Sequence, residues 1–339
     1  MLNAFVFGHG PSSPTLADVL MLTGLDISTT NSNHLFDTKP SAKVETCAIG
    51  GWSGYIQKYR KTGSVGEREQ AIFLNMWLDK FVFCGRSAGP TTVYLSAAEK
   101  LAKGGRFPLG RYLLGAAYHL LHQVAKKLLL GQSNGNLGRP WWFVNMWLSV
   151  HMHKHLGFDL FAQCFPRDIA KDHELDEEES ATRPPLNYGE ATIVLPGTGG
   201  NEDQVGRFFQ TLYEGLAKDQ RAWMPYEDPE TRFPLTFHPF DNALNKDQDL
   251  MMAIITPRAI PVNFSSGKAS NLTCEFYNPS ALARQLAFGQ LPIVLCYADV
   301  VKPRETITSG LEWIRIAQLP PNADTDVDLS AWIRALFIT

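Results

Sequence analysis

Cysteine is scarce: five residues in 339, at Cys47, Cys84, Cys164, Cys274 and Cys296, far apart and without a CxxC pair. That spacing excludes a zinc ribbon and a dense disulfide framework, and it predicts reduced thiols in an intracellular compartment. Long apolar runs are missing as well. The best candidate, residues 112–130, is interrupted by His119, His122, Gln123, Lys126 and Lys127, which a lipid-facing helix would not carry. The opening MLNAFVFGHGPSSP has no basic start and no sustained apolar stretch, so neither a signal peptide nor a membrane anchor is expected. A surplus of one charge sign is lacking too. Lys+Arg 31 against Asp+Glu 34 leaves a formal charge of -3, whereas binding to nucleic acid by counterion release normally needs a basic excess.

What the chain does have is apolar matter. Hydrophobic residues make up 45% and charged residues 19%, enough to bury a core. Ser13-Pro14 reads as a helix start, with residues 15–23 helical and Gly24 as the stop. Residues 26–50 read as a long loop. Helical periodicity dominates residues 51–154, with helices over 66–83, 93–103, 109–130 and from Pro140 onward, expected as an antiparallel bundle. After an acidic run at 173–180 the pattern changes to short, proline-divided pieces. Strands are expected at 191–195, 251–255, 273–277 and 292–297, and helices at 201–218 and 279–288. The fold class is therefore α+β and predominantly helical. A helical part over 1–160 and an acidic linker or insertion over 161–185 precede a smaller mixed α/β part over 186–339.

Each feature that could carry chemistry has a plainer competitor. His151 and His155 are four apart, the spacing two imidazoles need for a metal, but no third ligand can be named and helix-end histidines suit the dipole. His119 and His122 are read the same way. Gly197-Thr198-Gly199-Gly200 lies between an expected strand and helix, yet no lysine follows and Glu202 and Asp203 would repel an anion. Residues 15–24 are similar to the first half of a helix-turn-helix, but no basic residue follows before Lys39. Trp77, Trp141, Trp142 and Trp147 could stack bases, though their helical spacing fits a core. Cys84 beside Gly85-Arg86 could be an activated thiol, but no histidine can be placed beside it. No catalytic, cofactor-binding or metal-binding residue is assigned, and the chain is expected not to be an enzyme.

Several stretches together resemble the plant mobile domain, also known as aminotransferase-like. They are PTLADV with LTGL at residues 14–25, AIFLNMWLDKFVFC at 71–84, LSAAEKL at 95–101, residues 109–121, PWWFVNMWL at 140–148, and YNPSALARQLAFG at 277–289. Members of that family occur in plant genomes, as host genes and inside transposable elements. The resemblance implies a nuclear protein-interaction module in transposable-element silencing, gene expression and meristem maintenance. Its implied partners are another plant mobile domain protein or a phosphatase-like protein. It supplies no catalytic residue and no pyridoxal-phosphate lysine, so no cofactor is expected. Two alternatives remain open at this point: a transposon-derived DNA-binding domain and a pyridoxal-phosphate enzyme.

The candidate partner-binding residues are Arg284 and Gln285. Asn278-Pro279 opens a helix on which Leu282 and Leu286 face inward, leaving Arg284 and Gln285 to present donors to a partner. The competing reading is that this pair locks the helix onto its own chain.

Overall fold

In the computed structural model, residues 4–7, 10–27, 40–41, 43–46, 49–61, 63–133, 138–152, 250, 253–264 and 273–286 are described, together with helical positions 206, 210 and 214. The chain starts with a small antiparallel hairpin, β1 (Phe5–Phe7) and β2 (Gly10–Ser12), in register Phe5 to Ser12. Helix α1 (Leu16–Thr23) follows at once. Its cap is Thr15, two residues later than Ser13-Pro14 suggested: Asp18 N–H donates to Thr15 Oγ1, and Asp18 in turn accepts from the Thr15 backbone. That reciprocal box satisfies two amides which the helix start would otherwise leave bare.

Four further helices match their expected spans closely. They are α3 (Glu67–Trp77), α4 (Leu95–Ala102), α5 (Leu109–Leu129) and α6 (Trp141–Met152), with a short α2 (Gly51–Tyr59) ahead of them. Helix α3 does not simply end. It widens into a π turn, Leu78–Val82, closed by Phe83 N–H donating to Leu78 O at 2.8 Å. The first three turns of α5 are buried on every side, from Leu109 to Tyr118, with Arg111 taken in among the apolar residues of a central helix.

The later part of the chain packs onto that helix. Strands β3 (Arg258–Pro261) and β4 (Cys274–Tyr277) form an antiparallel hairpin in register Arg258 to Tyr277 and Pro261 to Cys274. A Cβ on Gly115 would lie 2.2 Å from Pro261 O, so only glycine lets strand backbone approach helix this closely. Phe264, just past β3, packs against the rings of Phe83, Tyr94, Phe107 and Tyr112, with centroids 4.2–5.5 Å apart. One hydrophobic core therefore runs from Leu16 through the helices to Tyr277.

Two expectations are corrected. Residues 253–255, expected in a strand, are helical, with Ala253 and Ile254 buried; a short buried apolar run looks alike in both states. The segment expected as an α-helix over 279–288 is a 3₁₀ helix, Pro279–Leu286, interrupted at Leu282. Strand β3 was not anticipated, because Pro257 precedes it and Pro261 is its last residue. The sequence-based elements at 191–195 and 292–297 and the acidic run lie outside the described residues. Of the expected 201–218 helix, positions 206, 210 and 214 are described and are helical.

Candidate functional site

Packing of the 3₁₀ segment decides the fate of the pair proposed from sequence. Positions 281 and 282 lie four and three residues before 285, and all of them are buried. Leu282 is buried, and Gln285 is 2% exposed. Its amide is fully used. Oε1 accepts from Ser12 Oγ and from Ser13 N–H, both at 2.9 Å. Nε2 donates to Ser13 O at 2.8 Å and reaches Asp18 Oδ2 at 3.5 Å. Gln285 is thus an internal clasp and not part of a docking surface, which corrects the expectation for that residue. Arg284 lies in the same segment, and its side chain is outside the described residues.

The clasp belongs to a larger polar knot at the start of α1. Asp18, 1% exposed, accepts from Thr15 N–H at 2.7 Å and Thr15 Oγ1 at 2.6 Å. Its other oxygen lies 3.0 Å from His151 Nε2 on α6, positioned for that ring N–H to donate. Tyr118 on α5 donates to Pro14 O at 2.7 Å, and Tyr277 on β4 donates to Ile254 O at 2.6 Å. Burial raises both phenols above the ordinary tyrosine range, so both stay neutral donors. The knot joins five parts of the chain through groups whose hydrogen bonds are made internally. The stretches PTLADV and YNPSALARQL, which carry two parts of the resemblance, meet in it.

The other histidine candidate is also engaged. Gln123 Nε2 lies 2.7 Å from His119 Nε2 and donates to it, which leaves the ring proton on Nδ1, 3.0 Å from the buried Glu275 Oε1. His153 and His155 lie outside the described residues, as does the Gly197–Gly200 loop. Among the described residues no three His, Cys, Asp or Glu side chains are grouped to hold a metal, and no helix is long and apolar enough to cross a membrane.

A second buried carboxyl sits in the π turn. Asp79 accepts from Thr91 Oγ1, while its own carbonyl receives Gly85 N–H at 2.8 Å. A Cβ on Gly85 would lie 2.1 Å from Asp79 Oδ1, so the loop closes over the carboxyl only because residue 85 has none. Burial raises the Asp79 pKa, and the Thr91 hydrogen bond opposes the rise. Asn75 links the same corner, donating to Tyr55 Oη at 3.2 Å and Thr91 O at 2.8 Å. Sequence reasoning missed this corner. The signal was one acid, Asp79, set between the apolar residues Trp77-Leu78 and Phe81-Val82-Phe83.

The remaining candidates sort by exposure. Cys84 is half-buried at a positive φ of 48°, and burial pushes its thiol up, the opposite of activation. Trp147 is in the core, with Phe5 stacked on it at 5.9 Å. Trp142 donates from Nε1 to Val82 O at 2.9 Å, tying the start of α6 to the π turn. Three large aromatic side chains face water: Phe73 is 53%, Phe81 54% and Trp141 39% exposed.

No curated protein and no solved structure matches the chain. The family comparison does give a result. The resembling stretches fall on α1, on α3 with its π turn, on α4, α5 and α6, and on the 3₁₀ segment of a mostly helical structure. The chain belongs to the plant mobile domain family, whose profile matches residues 2–291.

Proposed function

We propose that this protein is a non-enzymatic nuclear interaction module that acts in transposable-element silencing and gene expression by docking a protein partner. The observation that carries the reading is the set of exposed aromatic residues Phe73, Phe81 and Trp141. Phe73 and Phe81 are eight apart along α3 and its π turn, and the Trp142–Val82 bond brings the start of α6 to that turn. Buried aromatic anchors dominate protein interfaces, and a soluble surface that keeps several in water has a use for them. Family membership supports the biological setting, with a second plant mobile domain protein or a phosphatase-like protein as the expected partner. Arg284 is the part of the sequence-derived pair that this reading retains.

The test is affinity capture from plant nuclei with the full chain, with and without nuclease. Protein partners that survive nuclease and are lost with Phe73→Ser/Phe81→Ser, at unchanged melting temperature, support the proposal. Capture that disappears with nuclease, with affinity falling steeply with salt, would assign the protein to DNA binding instead. An absorbance band from a lysine Schiff base would overturn the non-enzyme reading.

A further inference from the structure

The loop after the π turn carries a hydroxyl beside two arginines. Gly85, Arg86, Ser87 and Ala88 are all exposed. Ser87 Oγ donates to Gly89 O at 2.9 Å and accepts from Gly89 N–H at 3.3 Å, a local turn within that exposed run. The segment ahead of α6 packs against the same loop. Arg139 N–H donates to Cys84 O at 2.7 Å, and a Cβ on Gly138 would lie 2.8 Å from Arg86 Cγ. Cys84 and Arg139 both have positive φ, 48° and 80°, which side chains other than glycine rarely adopt. Such conformations persist only where the surroundings hold them, so the two segments are fixed against each other. Arg139 is half-buried, and desolvation lowers its guanidinium, with the like charge of Arg86 acting the same way. Tyr94 acts in the opposite direction, but burial raises that phenol and keeps it neutral. Among the described residues no carboxylate acts on the Arg139 charge. Arg86 donates from Nη2 to Gln123 Oε1 at 3.1 Å, and Asp79 is buried beneath Gly85 and engaged by Thr91. A desolvated cation therefore stands next to a second one and to an exposed serine, with no acid of its own.

We propose that Ser87 is a phosphorylation site and that Arg139, with Arg86, holds the phosphate it receives. A phosphoserine brings close to two negative charges and three acceptor oxygens, which suit the guanidinium fork. The exposed run 85–88 leaves room for the phosphate and for the cleft of a kinase. In the step, Ser87 Oγ bonds to the γ-phosphorus of a nucleoside triphosphate held by that kinase. The bond from this phosphorus to the bridging oxygen breaks, the nucleoside diphosphate leaves, and the hydroxyl proton passes to a base of the kinase. The serine loses its bond to Gly89 O, while its ester oxygen can still accept from Gly89 N–H. New charge-assisted bonds then pin the loop to the segment ahead of α6. The proposal is independent of which partner the exposed aromatics bind.

Two measurements on the full chain test it. The first incubates the chain with plant cell extract, magnesium and ATP, and locates phosphate by peptide mass spectrometry. Phosphate on Ser87, absent from Ser87→Ala, is the expected result; none at Ser87 overturns the site. The second installs phosphoserine at position 87 during translation and follows its phosphorus NMR shift against pH. The second ionisation of a free phosphoserine lies at about 6, and pairing with arginine favours the dianion, so the midpoint should fall by about one unit. Arg139→Gln should return most of that fall. Arg86→Gln, at an exposed position, should return part of it and is the variant that reports if Arg139→Gln does not fold. The melting temperature of the phosphorylated chain should also rise above that of the unmodified one, and the rise should shrink at high salt. A midpoint equal to that of phosphoserine in the denatured chain overturns the arginine assignment, as does a fall that both variants leave intact.

Discussion

Gln285 pairs with both backbone groups of Ser13, accepting from its N–H at 2.9 Å and donating to its carbonyl at 2.8 Å. A side-chain amide here takes the place of a neighbouring strand, satisfying the main chain just past β2. The two residues are 272 positions apart, so this contact closes a loop of most of the chain.

Gln285→Ala removes that pairing and leaves a buried N–H and carbonyl bare. A loss of about 2–3 kcal/mol is expected from unsatisfied buried groups of this kind. Urea denaturation followed by far-UV circular dichroism measures it. A midpoint within error of the wild type would contradict the internal assignment and return Gln285 to the surface.

Asp79 should make stability pH-dependent in a direction unusual for a carboxylate. Its folded pKa is raised above the ordinary aspartate value, chiefly by desolvation. The folded state therefore holds this proton more tightly than the unfolded chain does. Stability from the neutral form is complete below the unfolded value and lost as pH rises through the raised one. Asp79→Asn keeps an acceptor for Thr91 and removes the titration. The difference in unfolding free energy between variant and wild type should move in the variant's favour from pH 4 to pH 7. A difference that is flat or moves the other way counts against a desolvated carboxyl.

How much of this was legible beforehand follows from which distances matter. Helices α3, α4, α5 and α6 were readable because each rests on its own periodic apolar face and on Gly or Pro at its ends, all local information. The capping box was also readable: Thr15 and Asp18 stand at the right spacing, but the serine–proline pair just before them offered an equally familiar start. Gln285 was misplaced because its partners, Ser12 and Ser13, stand 273 and 272 positions away, and local periodicity does not reveal them. Strand β3 was hidden by its flanking prolines and exists through pairing with β4. The knot of Asp18, His151 and Tyr118 depends on side chains meeting across the fold, which no spacing along the chain reveals.

Gly115→Ala should be among the more damaging single-methyl additions in this protein. The new Cβ would fall 2.2 Å from Pro261 O and 2.8 Å from Pro261 C, both backbone atoms that cannot rotate away. The hairpin must shift off α5, and overpacking of this kind costs about 1–3 kcal/mol. Thermal melting reads the loss. A control at Gly66, where a Cβ meets nothing within 4 Å, should lie close to the wild type.

The thiols provide a chemical test of the same packing. Burial pushes Cys274 up to about 12 and raises Cys84 above the ordinary thiol range. Only the thiolate attacks iodoacetamide, so a raised pKa lowers the reactive fraction at neutral pH. The neighbouring Arg86 does not reverse this: it donates to Gln123 Oε1 at 3.1 Å, and burial is the cause that acts on Cys84. In the native protein at pH 8, Cys274 should remain unmodified, and Cys84 should react more slowly than a free cysteine. Both should reach the free rate in denaturant. Peptide mass spectrometry over a time course from pH 7 to pH 9.5 separates the two sites, with the Cys84 rate climbing across that range as the thiolate forms. Labelling of Cys84 faster than free cysteine at pH 7 would show an activated thiol and would reopen a catalytic reading of the π turn.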